Sequence, residues 1–163
     1  MTEEREEERK EALQLFKKAY ELQMSGALEE ACGYYKKSLA LYPTAEAHTF
    51  LGWTYSFMGR YDDAIRECHK AIEVDPDFGN PYNDIGAYLI EKGRLDEAIP
   101  WLEKATQAVR YESYCFPHLN LGRIWEKKGE WYRAMEEYQK ALKHNPAYAL
   151  AAKALGRIRG MLN

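Results

Sequence analysis

The stretch Ala45–Phe78, AEAHTFLGWTYSFMGRYDDAIRECHKAIEVDPDF, decides the fold. Its first half carries apolar residues at Ala47, Phe50, Leu51 and Tyr55, close to a helical period. Gly59 then ends that helix, since a glycine just past a helix end adopts the left-handed conformation at no side-chain cost. The second half carries Ala64, Ile65, Cys68, Ala71 and Ile72, again at helical spacing. Asp75-Pro76 closes it, because proline cannot continue a helix and restricts the residue before it. The unit is helix A, tight turn, helix B.

The unit recurs. Gly26, Gly59, Gly93 and Gly129 stand 33, 34 and 36 residues apart, and Ala31, Ala64, Ala98 and Ala134 repeat the same three intervals. A period near 34 marks a stack of helical hairpins. The frame divides the chain into units 12–44, 45–78, 79–114 and 115–148, with a charged helical extension at 1–11 and a capping helix at 149–163. Pro43, Pro76 and Pro146 close three of the units, and Arg110 stands in that place in the third. The interval of 36 there predicts an extended helix B or a longer loop, with Tyr111–Tyr114 bridging to the next helix. Asn80 reads as an N-cap with Pro81 at the first helical position. Pro100 reads as lying among the first amides of its helix, where proline costs little. Gly52, Gly86 and Gly122 fall inside each helix A, where glycine costs about 1 kcal/mol against alanine. Close approach of helices A and B is the compensation.

Composition narrows the function classes. Hydrophobic residues make up 46% of the chain and aromatics 13%, enough for a packed core. The net charge of −3, with both signs interspersed, argues against nucleic acid and against an anionic membrane surface as partners. No apolar run is long enough to span a bilayer, and the acidic start has no signal-peptide pattern. Three widely spaced cysteines form no disulfide framework, which points to a reducing, cytoplasmic setting.

The order of residues within the units resembles the tetratricopeptide repeat. It reads Leu51-Gly52-Tyr55-Ala64-Cys68-Pro76 in the second unit and Ile85-Gly86-Leu89-Ala98-Leu102 in the third. In the fourth it reads Leu121-Gly122-Trp125-Ala134-Tyr138-Pro146. The first unit has Lys18-Ala19 where Leu-Gly is usual, and His48 and His118 replace the usual early aromatic. The resemblance implies an all-α, right-handed superhelical solenoid of antiparallel helix pairs, with helix A of each unit on the concave face. It also implies a protein-interaction module or scaffold.

On that template the groove of the first two units is aromatic, with Phe16, Tyr20, Phe50, Trp53 and Phe57 beside Thr49. The third unit contributes Asn83, Asp84 and Ala87, and the fourth Asn120 and Arg123. Such a surface suits a protein or peptide with apolar anchors, because aromatic side chains bury large area at low entropic cost. Some family members grip the C-terminal carboxylate of chaperones with basic and amide residues. The matching positions here are mostly aromatic, and Asp84 repels a carboxylate, so that ligand is not expected. No nucleophile elbow, HExxH, phosphate-binding glycine loop or CxxC occurs, so no enzyme and no cofactor is expected. Cys115 and His118 share a helix face without a second ligand pair, which reads as packing rather than a metal site. Glu136 and Glu137 read as a wet helix face. The alternative function is self-association into a homo-oligomer through the groove and the terminal helices, with Leu150, Leu155, Ile158, Met161 and Leu162 supplying contact.

Overall fold

A computed structural model describes residues 2–163; Met1, the first residue of the charged extension, lies outside them. The described residues form α1 (Glu3–Met24), α2 (Leu28–Leu41), α3 (Ala45–Phe57), α4 (Tyr61–Val74) and α5 (Asn80–Glu91). Then follow α6 (Leu95–Thr106), α7 (Cys115–Lys127), α8 (Trp131–His144) and α9 (Ala149–Leu162). Successive helices pack as antiparallel neighbours, and each pair leans on the next.

The turns inside the pairs are alike. Gly59 has φ of 74°, its amide donates to the Ser56 carbonyl at 3.0 Å, and the Arg60 amide donates to the Tyr55 carbonyl at 2.9 Å. This pairing satisfies the carbonyls that a helix end otherwise leaves bare. Gly26, Gly93 and Gly129 repeat it. The helices meet through small residues: Ala31, Ala64, Ala98 and Ala134 are all fully buried. One core runs from Ala19 and Tyr35 through Leu51, Ile85 and Leu102 to Ile124. A second, around Tyr138, is shared by α7, α8 and α9.

Charge ties the repeats at equivalent places. Lys92 pairs with Asp62, and Lys128 pairs with Asp96 one repeat later. His48 Nδ1 lies 2.7 Å from the Glu67 carboxylate, and His118 Nδ1 lies at the same distance from Glu137. The histidines that replace the usual aromatic thus keep a ring at the start of helix A and add a polar link to helix B. Burial pushes Glu67 and Glu137 up, but the histidine bonds and a nearby lysine bring both below the usual carboxylate range. Glu137 is therefore not on a wet face: its side chain is 14% exposed.

Three local expectations need correction. Asn80 is the first residue of α5 rather than its cap; Gly79 holds the cap position, where a Cβ would meet the Tyr111 ring at 2.5 Å. Pro100 lies inside α6, beyond the first turn, so the Asp96 carbonyl loses an amide partner. Its exposure lets solvent satisfy that group. Leu155 and Ile158 are buried within the chain itself, because α9 uses them to cover α8.

The stretched third interval is a loop over 107–114, not an extended helix. Arg110 holds it. Its amide donates to the Asp77 carbonyl at 2.9 Å, its carbonyl accepts from Gly79 at 3.1 Å, and its guanidinium lies 4.2 Å from the Phe78 ring centre. The guanidinium also pairs with Asp75 at 2.6 Å and Glu46 at 2.9 Å. Arg110→Ala is expected to cost only about 1 kcal/mol, because these pairs are largely exposed. Amide exchange across 107–114 should rise measurably while the rest of the chain is unchanged. Unchanged exchange in that loop would show that Arg110 does not hold it.

Candidate functional site

Helices α1, α3, α5 and α7 touch one another in turn as well as their own partners, which places them on the inner side of the stack. Side chains from α1 and α3 form a continuous aromatic run there. Phe50 is its hub, with Phe16 at 5.3 Å, Tyr20 at 5.8 Å and Trp53 at 5.8 Å between ring centres, all edge to face. Trp53 continues to Phe57 at 5.0 Å. Edge-to-face geometry sets the positive rim of one ring on the negative face of the next. The run changes character along its length. Phe16 leans into the core against Tyr35 at 5.5 Å, whereas Tyr20 is 41% and Phe57 57% exposed. Trp53 is half-buried between them.

Beside Trp53 the groove deepens into a hollow of about 320 Å³. Its walls are the rings of Phe50, Trp53, Tyr111 and Phe116, and its polar lining is Thr49, Asn80, Asn83 and Asp84. Among the described residues no lysine or arginine lines it. Five of the residues singled out from the sequence therefore meet at one place: Thr49, Phe50, Trp53, Asn83 and Asp84. Tyr111 was not anticipated. The only trace it leaves in the sequence is the interval of 36, whose extra residues form the loop that carries its ring over the groove.

A chain of hydrogen bonds fixes the polar lining. Arg123 donates to the Asn120 side-chain oxygen at 3.1 Å, and Asn120 donates to the Asn83 oxygen at 3.0 Å. Asp84 stands next to Asn83 on α5 and lines the same hollow. Arg123 also reaches Glu91 at 3.3 Å. Asn83 and Asn120 are only 8% and 7% exposed, so they tie α5 to α7 rather than offer open surface. Burial beneath the rings pushes the Asp84 carboxyl up to about 7. Thr49 is buried, and its hydroxyl donates to the Ala45 carbonyl at 2.7 Å. Ala87 is partly buried on α5, outside the hollow's lining.

Arg123 belongs to the wall of a second hollow, of about 600 Å³, toward the C-terminal end of the groove. Leu119, Trp131, Leu150 and Met161 line it together with Glu126 and Arg157, which pair at 2.5 Å. Cys115, near the start of α7, is buried, and burial pushes its thiol up. Among the described residues no helix is long and apolar enough to cross a membrane.

Comparison with known proteins agrees with this architecture. Tetratricopeptide repeat profiles match residues 45–78, 80–108 and 115–148. The small glutamine-rich tetratricopeptide repeat-containing protein 2 of Mycosarcoma maydis is 31% identical over 83 residues, 50% of this chain and 23% of that protein. The chain thus spans less than a quarter of that relative's length. The solved structure of Pseudomonas aeruginosa pilF superposes with a TM-score of 0.83 at 26% identity, covering 94% of this chain and 68% of that one. YrrB, described as a tetratricopeptide repeat protein with an unusual peptide-binding site, superposes at 0.68 with 22% identity over 92% of this chain and 77% of its own. Three profile matches in register, on helix pairs whose glycines and alanines make the contacts the repeat requires, show that this chain belongs to the tetratricopeptide repeat family.

Proposed function

We propose that this chain is a non-enzymatic interaction module that holds a peptide or helix of a partner protein in its concave groove. Proteins of the family bind protein or peptide partners, and the finer reading rests on one observation. The aromatic run from Tyr20 through Phe50 and Trp53 to Phe57 stays open to solvent at both ends and leads into the hollow beside it. Open aromatic surface next to a concave site is the usual composition of a binding hot spot. A chaperone-tail carboxylate is a poor ligand for this hollow, because the nearest charge in its lining is that of Asp84.

Trp53 is the anchor to remove. Peptides selected from a random display library on the wild type are expected to bind Trp53→Ala more weakly by about 1–3 kcal/mol, roughly five- to 150-fold in Kd. Helicity should be retained, since Trp53 is only half-buried. Unchanged affinity would remove the aromatic run from the site, and a parallel loss of helicity would make Trp53 a core residue instead.

A second reading is self-association, favoured by Leu150, Met161 and Leu162, which remain exposed on α9 beside the larger hollow. Sedimentation equilibrium over a wide concentration range tests it. A monomer throughout would dismiss it, and a dimer lost in Leu150→Glu would support it.

A further inference from the structure

We propose that the hollow between α3, α5, α7 and the 107–114 loop receives the guanidinium of a peptide arginine, with Asp84 as its counter-ion and Trp53, Tyr111 and Phe116 as the flanking rings. The inference rests on the groove being a peptide site and names what its deepest point recognises.

The chemistry of the lining carries it. The hollow offers one carboxylate, a threonine hydroxyl, two side-chain amides and aromatic faces. Asp84 contributes the one charged group of the lining. Thr49 has committed its hydroxyl hydrogen to the Ala45 carbonyl, which leaves it only lone pairs. The only charge in this lining is negative, so a cationic, donor-bearing group complements it. Guanidinium has five N–H donors and no acceptor. Its plane stacks on aromatic faces, and it is more weakly hydrated than an ammonium, so it enters a ring-lined space at lower cost. Among the described residues no lysine or arginine lines the hollow to compete for Asp84. Burial raises the Asp84 carboxyl to about 7, a cost that a bound cation relieves.

The obvious objection is that the starts of α5 and α7 border this space, and a helix start ordinarily favours anions. Here part of each start is already engaged or lacks an amide. Pro81 and Pro117 carry none. The Gly79 amide donates to the Arg110 carbonyl at 3.1 Å, and that of Phe116 to the Ser113 carbonyl at 3.0 Å. An anion would also face Asp84 directly.

The test uses small probes, so that it reads the hollow alone. Nα-acetyl-arginine methylamide is titrated into ¹⁵N-labelled protein while the Trp53 indole N–H resonance, assigned with Trp53→Phe, is followed. The citrulline and lysine analogues are run beside it; the first keeps the shape and removes the charge. The expected result is a saturable shift of Trp53 with the arginine probe and binding roughly tenfold or more weaker for citrulline. Asp84→Asn should lose that preference, with far-UV circular dichroism showing the fold intact. Equal binding of arginine and citrulline probes, or a preference that survives Asp84→Asn, would overturn the counter-ion role. Equal binding of the lysine probe would overturn the assignment to a guanidinium. If display-selected peptides still need Trp53 while the arginine probe leaves its resonance unmoved, this inference fails and the peptide-binding reading stands. If neither peptides nor probe engage Trp53, both fail.

Discussion

Gly52→Leu is expected to destabilise the protein by about 3 kcal/mol or more, at the upper end of overpacking costs. A Cβ at this position would meet the Ala64 carbonyl oxygen at 2.9 Å, with Cys68 Sγ and Glu67 Cβ both at 3.5 Å. The first of these is backbone, which cannot swing aside as a side-chain tip can. It belongs to α4, so relief requires α3 and α4 to separate, and Tyr55, Cys68 and Leu51 would lose their packing. At Gly122 the obstacle is the Tyr138 ring, 2.5 Å from an added Cβ and tethered to Glu126 at 2.6 Å. At Gly86 the obstacle is the Leu102 side chain. Gly86→Ala is therefore expected to be no milder than Gly122→Ala, since Leu102 is fully buried and its Cγ as well as its Cδ2 stands in the way of an added Cβ. Chemical denaturation of the three variants checks the ranking. In a stack of repeats each unit contacts mainly its neighbours, so a broadened or two-stage transition is the expected signature at Gly52. A Gly52→Leu protein that unfolds like the wild type would mean that the close approach of α3 and α4 carries no stability.

Asp84→Asn is expected to act in the opposite direction. Burial raises the Asp84 carboxyl in the folded protein to about 7, against about 3.9 in an unfolded chain. Between pH 4 and pH 7 the folded state therefore holds a proton that the unfolded state has lost. Stability then falls as pH rises through this window and levels off above it. Asparagine removes the ionisation, so the variant should gain about 2–4 kcal/mol over wild type at pH 8 and almost nothing at pH 4. The lower part of that range reflects the side chain's partial opening to the groove. The titratable groups packed around it are Cys68 on α4, Tyr88 on α5 and Tyr111 in the loop. Burial pushes all three up, so they stay neutral across the window and the difference between the two proteins reports Asp84 alone. Thermal melts of both proteins at pH 4, 6 and 8 measure it. A constant difference across the three would show that Asp84 ionises freely in the folded state. A residue that destabilises the fold at neutral pH yet lines an open hollow fits a binding role better than a structural one.

The repeat frame was legible because it is a local property. Gly59 and its three counterparts must adopt positive φ, and Ala64 and its counterparts must sit where helices touch, so both leave a mark at a constant interval. The aromatic run was legible for a related reason, since a fixed offset within helix A points each residue toward the same side of the stack. The caps and the proline position were less so. Whether Asn80 or Gly79 caps α5 depends on Tyr111, which is distant in sequence and close in space. Glu137 looked solvated because its neighbour Glu136 is; only the packing of α7 on α8 brings His118 within 2.7 Å of it.

The division follows from the range of the forces involved. Steric limits on φ, the helical period and the cost of a misplaced side chain act within a few residues, so the amino-acid order alone determined the helix pairs and their number, while the family resemblance supplied which helix of each pair faces inward. The hollow is different. Its walls come from α3, α5, α7 and the 107–114 loop, and the ionisation of Asp84 depends on how much water those four segments leave around it. Desolvation is a property of the assembled surroundings rather than of the residue, and only the tertiary structure decides it.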